Sequence, residues 1–517
     1  MMAAKPTGRR AKAADPRQRR WLPWILGIVV GLVAGGGMTA AYAPPNADVI
    51  RVEAAAWYHT MRNLVSPGSA PTATKPWVGD PKIYATSPVS QPAENDTNQD
   101  LVADDVDQLL NVNAPMPDPE QLASTLEAAT ADLSLHHRML VVDAATGQTL
   151  YDAGRHDPIV PASTLKLYTA ISTLHHLDLN HRFSTAASYD PTRGVTLIGG
   201  GDGLLSNGQS TGETVGYAGL GDLATKTWEA IRHDIGQATT VPVQVDVSRY
   251  NPPFTHPTWT EGLMTGGWVS PVYPINTWGG FVTDPQLNSD AVEDGAAYAG
   301  AVFAQRLTEA AAEDGYDIEF TNAGRTTDPA TTEPVASVQS ATLGEQLEFA
   351  MKQSNNMLFE MFGREAAIAA EANPDFTGST ATTINTLREL GVNIDHLTFV
   401  DNSGLSPSSR ATLDATIQLF ELMLTNEQFR PLFQTLTIAG YDGTMRHRLA
   451  EAPYSGVVRS KTGTLEAASS NAGLTVTADG RVVWFAINTA GADGDYATAR
   501  EEQDQLAKIL SDCGCST

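Results

Sequence analysis

Cysteine is nearly absent: 517 residues contain two, Cys513 and Cys515, both at the C-terminal end. No disulfide framework can hold such a chain, so its stability has to come from buried apolar surface. A bridge between residues two apart is strained and two sulfurs alone make a poor metal site, so the tail reads as a segment without a role in the fold. Basic residues are also scarce, with 33 Lys and Arg against 59 Asp and Glu and a formal charge of −26. Nucleic acid binding requires a basic face that displaces counterions, and that class of partner is excluded. No H-E-x-x-H occurs and the 11 histidines show no metal-ligand spacing, so no catalytic metal or other cofactor is expected.

Long apolar runs are missing too, except for Trp21–Ala43, which carries no charge. That length spans a bilayer as a helix. Residues 1–20 hold seven Lys/Arg and one Asp, and Arg17, Arg19 and Arg20 stand just before the run. The short basic tail should therefore stay cytoplasmic and the bulk of the chain lie outside. Ala41-Tyr42-Ala43 also fits a signal-peptidase site, but Pro44 hinders cleavage there. The expectation is a single-pass cell-membrane anchor over 21–43, with a secreted chain as the alternative if it is cut.

Residues 44–118 read as an extracytoplasmic tether. A short helix is expected over Asn46–Val65, followed by a stretch rich in Pro, Ser, Thr, Asn and Asp that has too little apolar surface to fold. From Pro119 the pattern is globular. It predicts a helix over Glu120–Asp132, strands over Arg138–Asp143 and Thr149–Tyr151, a buried helix over Ser163–Leu177 and a helix over Leu343–Ala370. Strands over Gly456–Ser460, Leu474–Thr477 and Val482–Asn488 and a closing helix over Glu501–Leu510 complete it. Hairpins at both ends with helices between them imply one sheet built from both ends of the chain.

Three short motifs carry chemistry. In Ser163-Thr164-Leu165-Lys166 the hydroxyl and the amine share a helix face. Of the nine lysines, Lys166 is the only one with a serine three residues before it. In its apolar setting the amine is either a neutral base for Ser163 or a lysine that snorkels outward. Ser354-Asn355-Asn356 interrupts an apolar helix, which marks either a break that presents Ser354 and Asn356 to a pocket or a solvent-facing turn. Lys461-Thr462-Gly463-Thr464 follows a strand. A cation, two hydroxyls and a Gly that admits close backbone approach suit a carboxylate and an oxyanion. A competitor, Gly208-Gln209-Ser210-Thr211-Gly212, fits G-x-S-x-G but lies in a loop where no nucleophile elbow forms.

S-x-x-K, S-N-N and K-T-G-T in this order resemble the penicillin-recognising serine enzymes. The chain resembles the branch of DacB/penicillin-binding protein 4 type D-alanyl-D-alanine carboxypeptidases over about residues 120–510. Further matches are Leu197–Asp202, Val245–Arg249 followed by His256-Pro257, Glu360 after the S-N-N triplet, and Asp401–Ser406. The resemblance implies an α+β fold, with a β-lactamase/transpeptidase-like domain over 119–182 and 338–517 whose antiparallel sheet is flanked by helices. The separation of 191 positions from Ser163 to Ser354 implies an inserted, β-rich region over 183–337. The resemblance implies Ser163, Lys166 and Ser354 as catalytic residues and Asn356, Lys461, Thr462, Gly463 and Thr464 as substrate-binding residues. Peptidoglycan stem peptides and β-lactams are the implied partners, with DD-endopeptidase action as a second activity. A non-catalytic wall-binding protein or a β-lactamase are the alternatives. The sequence departs from the branch at Asn402, where Gly is usual, and at Pro407-Ser408-Ser409. Asn tolerates left-handed backbone angles, which would preserve the turn at 402.

Overall fold

The computed structural model describes residues 110–282 and 290–515. The basic tail, the expected anchor and nearly all of the expected tether lie outside the described residues. Among those described, no helix is long and apolar enough to cross a membrane.

In chain order the labelled elements are helix α1 (Pro119–Asp132), strands β1 (His136–Asp143) and β2 (Thr149–Ala153), and helix α2 (Leu165–His176). Strands β3 (Arg182–Asp190), β4 (Gly194–Ile198) and β5 (Asp202–Leu205) follow, then α3 (Leu220–Ile231), β6 (Thr240–Asp246) and β7 (Ile275–Thr277). Next come α4 (Gly295–Glu313), β8 (Glu319–Thr326) and β9 (Pro334–Thr342). Helices α5 (Leu343–Gln353), α6 (Asn356–Ala369), α7 (Phe376–Glu389) and α8 (Leu413–Thr425) lead to β10 (Thr437–Ile438). Strands β11 (Arg459–Leu465), β12 (Ala468–Val476) and β13 (Val482–Ala490) and helix α9 (Tyr496–Asp512) end the chain.

A six-stranded antiparallel sheet has the order β10-β11-β12-β13-β1-β2, so strands from both ends of the globular part lie side by side. The sequence of β1 explains its central place. Leu140 and Val142 face the helical layer that contains α2 and α8, while Met139 and Val141 face the core shared with α1 and α9. A strand covered on both faces has to be apolar at consecutive positions rather than alternate ones. The mixed α+β architecture agrees with the expectation. The third predicted strand starts later than expected, at Arg459, because Tyr454–Val457 form turns.

Residues 182–342 build a second sheet, ordered β8-β6-β4-β3-β9. Its β4/β6 and β6/β8 pairs are parallel, and parallel neighbours need crossover connections. Helices α3 and α4 supply apolar faces to that sheet through Trp228, Phe303 and Leu307. The region expected to be β-rich is thus a sheet with helices packed on it.

The last residues of the expected tether are folded onto the first sheet. Leu110 and Ala114 are buried. Arg481 donates to the carbonyls of Val112 (2.6 Å) and Ala114 (3.2 Å) and forms a two-pronged pair with Asp143 at 2.6 and 2.8 Å. The cysteine tail also packs, contrary to expectation. Cys513 and Cys515 are paired, Cys513 is buried in the core under α9, and the Cys515 carbonyl accepts from Asp118 N.

The Arg481 and Asp143 side chains are 4% and 0% exposed. Burial alone would raise the Asp143 carboxyl, but Arg481 and Thr146 hold it below the ordinary carboxylate range. Arg481→Leu strands that carboxylate without its cation and should destabilise the fold by about 3–5 kcal/mol, measured as a fall in denaturant midpoint. The stability supplied by this depressed carboxyl is present above its unfolded pKa and is lost as pH falls through the folded value. The gap between variant and wild type should therefore close in acid.

Candidate active site

Ser163 sits in a 3-10 turn, Ala162–Thr164, that runs straight into α2. Ala162 before it is fully buried with φ +48°, an angle that L residues rarely adopt. One turn on, Lys166 is 0% exposed. Its Nζ lies 2.9 Å from Ser163 Oγ, 2.7 Å from Asn356 Oδ1 and 2.7 Å from the Ser403 carbonyl. Asn356 Nδ2 donates to the Trp268 carbonyl at 2.9 Å, which fixes Oδ1 toward the lysine. Asn356 Oδ1 and the Ser403 carbonyl can only accept. They occupy both N–H bonds of a neutral amine and leave its lone pair for the Ser163 hydroxyl. Burial pushes the Lys166 pKa down to about 7, against the opposing pull of Glu360 and Asp401. The outward-snorkelling alternative does not describe this side chain.

The predicted helix over Leu343–Ala370 is two helices. A capping box of Thr342 and Glu345 starts α5, and Ser354 ends it in the left-handed region at φ +53° and ψ +38°. Asn355 then caps α6, accepting from Leu358 N at 2.9 Å. Each residue of the polar triplet has its own task. Ser354 Oγ faces Lys461 at 2.9 Å, Asn355 restarts the helix, and Asn356 holds Lys166.

Lys461 on β11 is likewise buried and donates to Ser354 Oγ and to the Thr462 carbonyl at 2.7 Å. Burial first, and Lys166 second, push its pKa well below that of a free lysine. A Cβ on Gly463 would stand 2.6 Å from the backbone nitrogen of Ser163, so only glycine lets β11 lie this close to Ser163. Strand β10 pairs with Arg459 and Ser460 only. Thr462, Gly463 and half-buried Thr464 follow beyond its end, with β12 on their other side.

Sequence reading missed several groups. The exposed Thr444 lies in the 3-10 turn Gly443–Met445, and its Oγ1 is 2.6 Å from Thr462 Oγ1. The carbonyls of Ser403 and Trp268 carry no side-chain signature. Asn402 does not show the left-handed backbone expected of it. Its side chain donates instead to Glu360 (3.1 Å) and Ser379 (2.9 Å), in space left open by Gly363. Ser210 sits in an exposed loop where its Oγ accepts from Gly219 N, away from this cluster. A cavity of about 290 Å³ opens beside Ser354–Asn356, lined in part by Trp268, Val269, Phe281 and Phe349. Among the described residues no group of His, Cys, Asp or Glu is placed to hold a metal ion.

The chain matches the D-Ala-D-Ala carboxypeptidase 3 (S13) family over residues 122–289 and 282–513. It is 33% identical over 391 residues to a carboxypeptidase of Mycobacterium tuberculosis, covering 73% of this chain and 80% of that protein. It is 31% identical over 425 residues to carboxypeptidase DacB of Mycolicibacterium smegmatis, covering 78% and 87%. The fold resembles the crystal structure of penicillin-binding protein 4 from Haemophilus influenzae, with a TM-score of 0.60 at 19% identity over 74% of this chain and 99% of that one.

If neutral Lys166 takes the Ser163 proton, labelling of Ser163 by a fluorophosphonate should slow as pH falls through about 7, where the amine gains its proton. Lys166→Arg keeps the charge but cannot deprotonate, and labelling should fall at least about a hundredfold at every pH. A rate flat from pH 5 to 9, or a fully reactive Lys166→Arg protein, would show that another group is the base.

Proposed function

We infer that this chain, which belongs to the D-Ala-D-Ala carboxypeptidase 3 (S13) family, removes the terminal D-Ala of peptidoglycan stem peptides through an acyl-enzyme on Ser163. The observation that carries the assignment of roles is the buried Lys166 amine 2.9 Å from Ser163 Oγ, beside two acceptors, Asn356 Oδ1 and the Ser403 carbonyl, that can take both N–H bonds of its neutral form.

The cycle follows from this arrangement. Ser163 Oγ bonds to the carbonyl carbon of the penultimate D-Ala while its proton passes to Lys166 Nζ. Negative charge gathers on the carbonyl oxygen, where the backbone N–H groups of Ser163 and Thr464 receive it. The close approach of Gly463 to Ser163 supports this assignment. The C–N bond then breaks. Ser354 gives its proton to the departing amine and is resupplied, through Lys461 Nζ 2.9 Å away, with the proton that Lys166 took from Ser163. Water adds to the ester and restores Ser163. Lys461, Thr462 and Thr464 bind the free carboxylate, and Asn356 orients the peptide amide. A β-lactam presents the same amide and carboxylate and acylates the same serine. DD-endopeptidase action needs the same acylation, with the amine of a cross-linked peptide as leaving group.

The reading includes a membrane anchor. The uncharged run 21–43 follows Arg17, Arg19 and Arg20, and the substrate class lies outside the cell. Residues 1–20 are then cytoplasmic, 44–109 link the anchor to the folded part, and the catalytic domain works on the wall.

Exposure to a fluorescent penicillin should give one covalent adduct, on the peptide that contains Ser163, and Ser163→Ala should abolish it. Adduct on Ser163→Ala, or mapped to Ser210, would refute the assignment, and steady-state penicillin turnover would mark a β-lactamase instead. Protease added to intact spheroplasts should release the catalytic domain by cutting within 44–109. Full protection of that domain would place it inside.

A further inference from the structure

The base lysine does not find its second acceptor by chance. Ser403 lies in the loop 401–406, which reaches Lys166 through its carbonyl. What holds that loop is Glu360, four residues after Asn356 and so on the same face of α6. Glu360 is 0% exposed. Its carboxylate accepts from Asn402 N (3.1 Å), Ser403 N (2.8 Å) and Asn402 Nδ2 (3.1 Å). The Ser403 carbonyl that takes a Lys166 N–H thus belongs to the residue whose own N–H is held by Glu360. A second buried acid, Asp401, ties the loop to itself and to the inserted region, accepting from Gly404 N (3.0 Å), Ser406 N (2.7 Å) and Trp259 Nε1 (3.0 Å). Gly404 leaves no gap, since a Cβ there would meet the Ala162 carbonyl at 1.9 Å. The chain leaves room for this hold: Gly363 stands mid-helix where any side chain would strike Asn402.

We propose that Glu360 is a positioning residue for the base. It fixes the Asn402–Ser403 peptide so that the Ser403 carbonyl occupies one N–H of Lys166, and it supplies the nearby negative charge that keeps the amine basic. Two backbone N–H groups, the Asn402 amide and the Ser403 hydroxyl reach Glu360 and favour its ionised form, against burial and the neighbouring Asp401, which push its pKa up to about 7. The charged groups that face Lys166 are Glu360 on α6, Asp401 on the loop and Lys461 on β11. Behind the acids stand Arg364, one turn along α6, and His256, facing Asp401. Two of these five, Glu360 and Asp401, oppose the loss of the Lys166 proton directly, with Glu360 the stronger. The role rests on Lys166 acting as the base in the acylation described above.

The test uses the described catalytic part within the full chain and a fluorescent penicillin, with kcat and KM on a D-Ala-D-Ala peptide. Glu360→Gln removes the charge and turns an amide N–H toward the loop donors. Acylation at pH 8 should fall at least about tenfold with KM within about threefold. Without the anion the neutral amine is favoured, so the acid limb of the pH profile should move down by about one unit. Glu360→Asp keeps the charge with a shorter reach, so its rate should fall while the acid limb stays. Glu360→Gln with rate and limb both within twofold of wild type overturns the proposal. So does a lower rate with an unmoved limb, which is what altered packing alone would give. Should Glu360→Gln fail to fold, Glu360→Asp decides: a lowered kcat with KM within about threefold upholds the proposal, and a wild-type kcat, or a KM raised more than about threefold, overturns it. A wild-type protein that takes no penicillin on Ser163 would refute the proposed function, a result distinct from an indifferent Glu360.

Discussion

A lysine amine kept dry and flanked by two acceptors is the interaction on which the rest of this structure depends. Water would protonate Lys166, and a protonated amine has no lone pair for Ser163. Keeping it neutral near pH 7 requires complete burial, and burial of a polar group requires that its hydrogen bonds be made inside the protein. Asn356 and the Ser403 carbonyl meet that requirement from two separate segments, 190 and 237 residues further along the chain. The helix break at Ser354 follows from the same need. An uninterrupted helix has no capped start at Asn355, and the left-handed Ser354 is what sets Ser354 and Asn356 toward two different lysines.

Helix α6 then serves as the internal frame of the molecule. Nearly all of it is buried, including charged residues that are costly to bury unpaired. Glu360 binds the 401–406 loop. Arg364 donates to the carbonyls of Asn251, Pro253 and Pro374. Glu365 takes both prongs of Arg249 at 2.8 and 2.5 Å and accepts from Tyr250 at 2.9 Å. One helix therefore fastens the end of β6, the start of α7 and the active-site loop in register with Asn356. The region of the second sheet is tied to α6 through this frame and through the small apolar cluster of Tyr250, Trp259, Met357 and Met361.

Motif chemistry was legible in the sequence because it rests on local spacing. Ser163 and Lys166 meet by helical periodicity, whereas Lys461–Thr464, expected to follow a strand, lies within β11. The central strands were legible from their continuous apolar runs, although β11 begins three residues later than its sequence suggested. Asn402 was noticed for the wrong reason: what matters there is an amide reaching Glu360, and no backbone preference could have revealed it. Thr444 and the Ser403 carbonyl gave no signal, one being an ordinary hydroxyl and the other a backbone atom.

By itself the sequence determined the α+β class, the order of three motifs and the pairing of Ser163 with Lys166 on one helix face, since these depend on neighbours a few residues apart. The tertiary structure alone decided which acceptors confine Lys166, that the polar triplet separates two helices, and that Glu360, Asp401 and Gly404 hold a distant loop against Ser163. It also decided that Arg481 gathers the carbonyls of Val112 and Ala114 and the carboxylate of Asp143 around one buried guanidinium. The physical reason is common to all of these. A buried polar group must be satisfied by whatever segment the fold brings to it, and hydrogen-bond partners lying from 42 to 369 residues away leave no trace in local composition or periodicity.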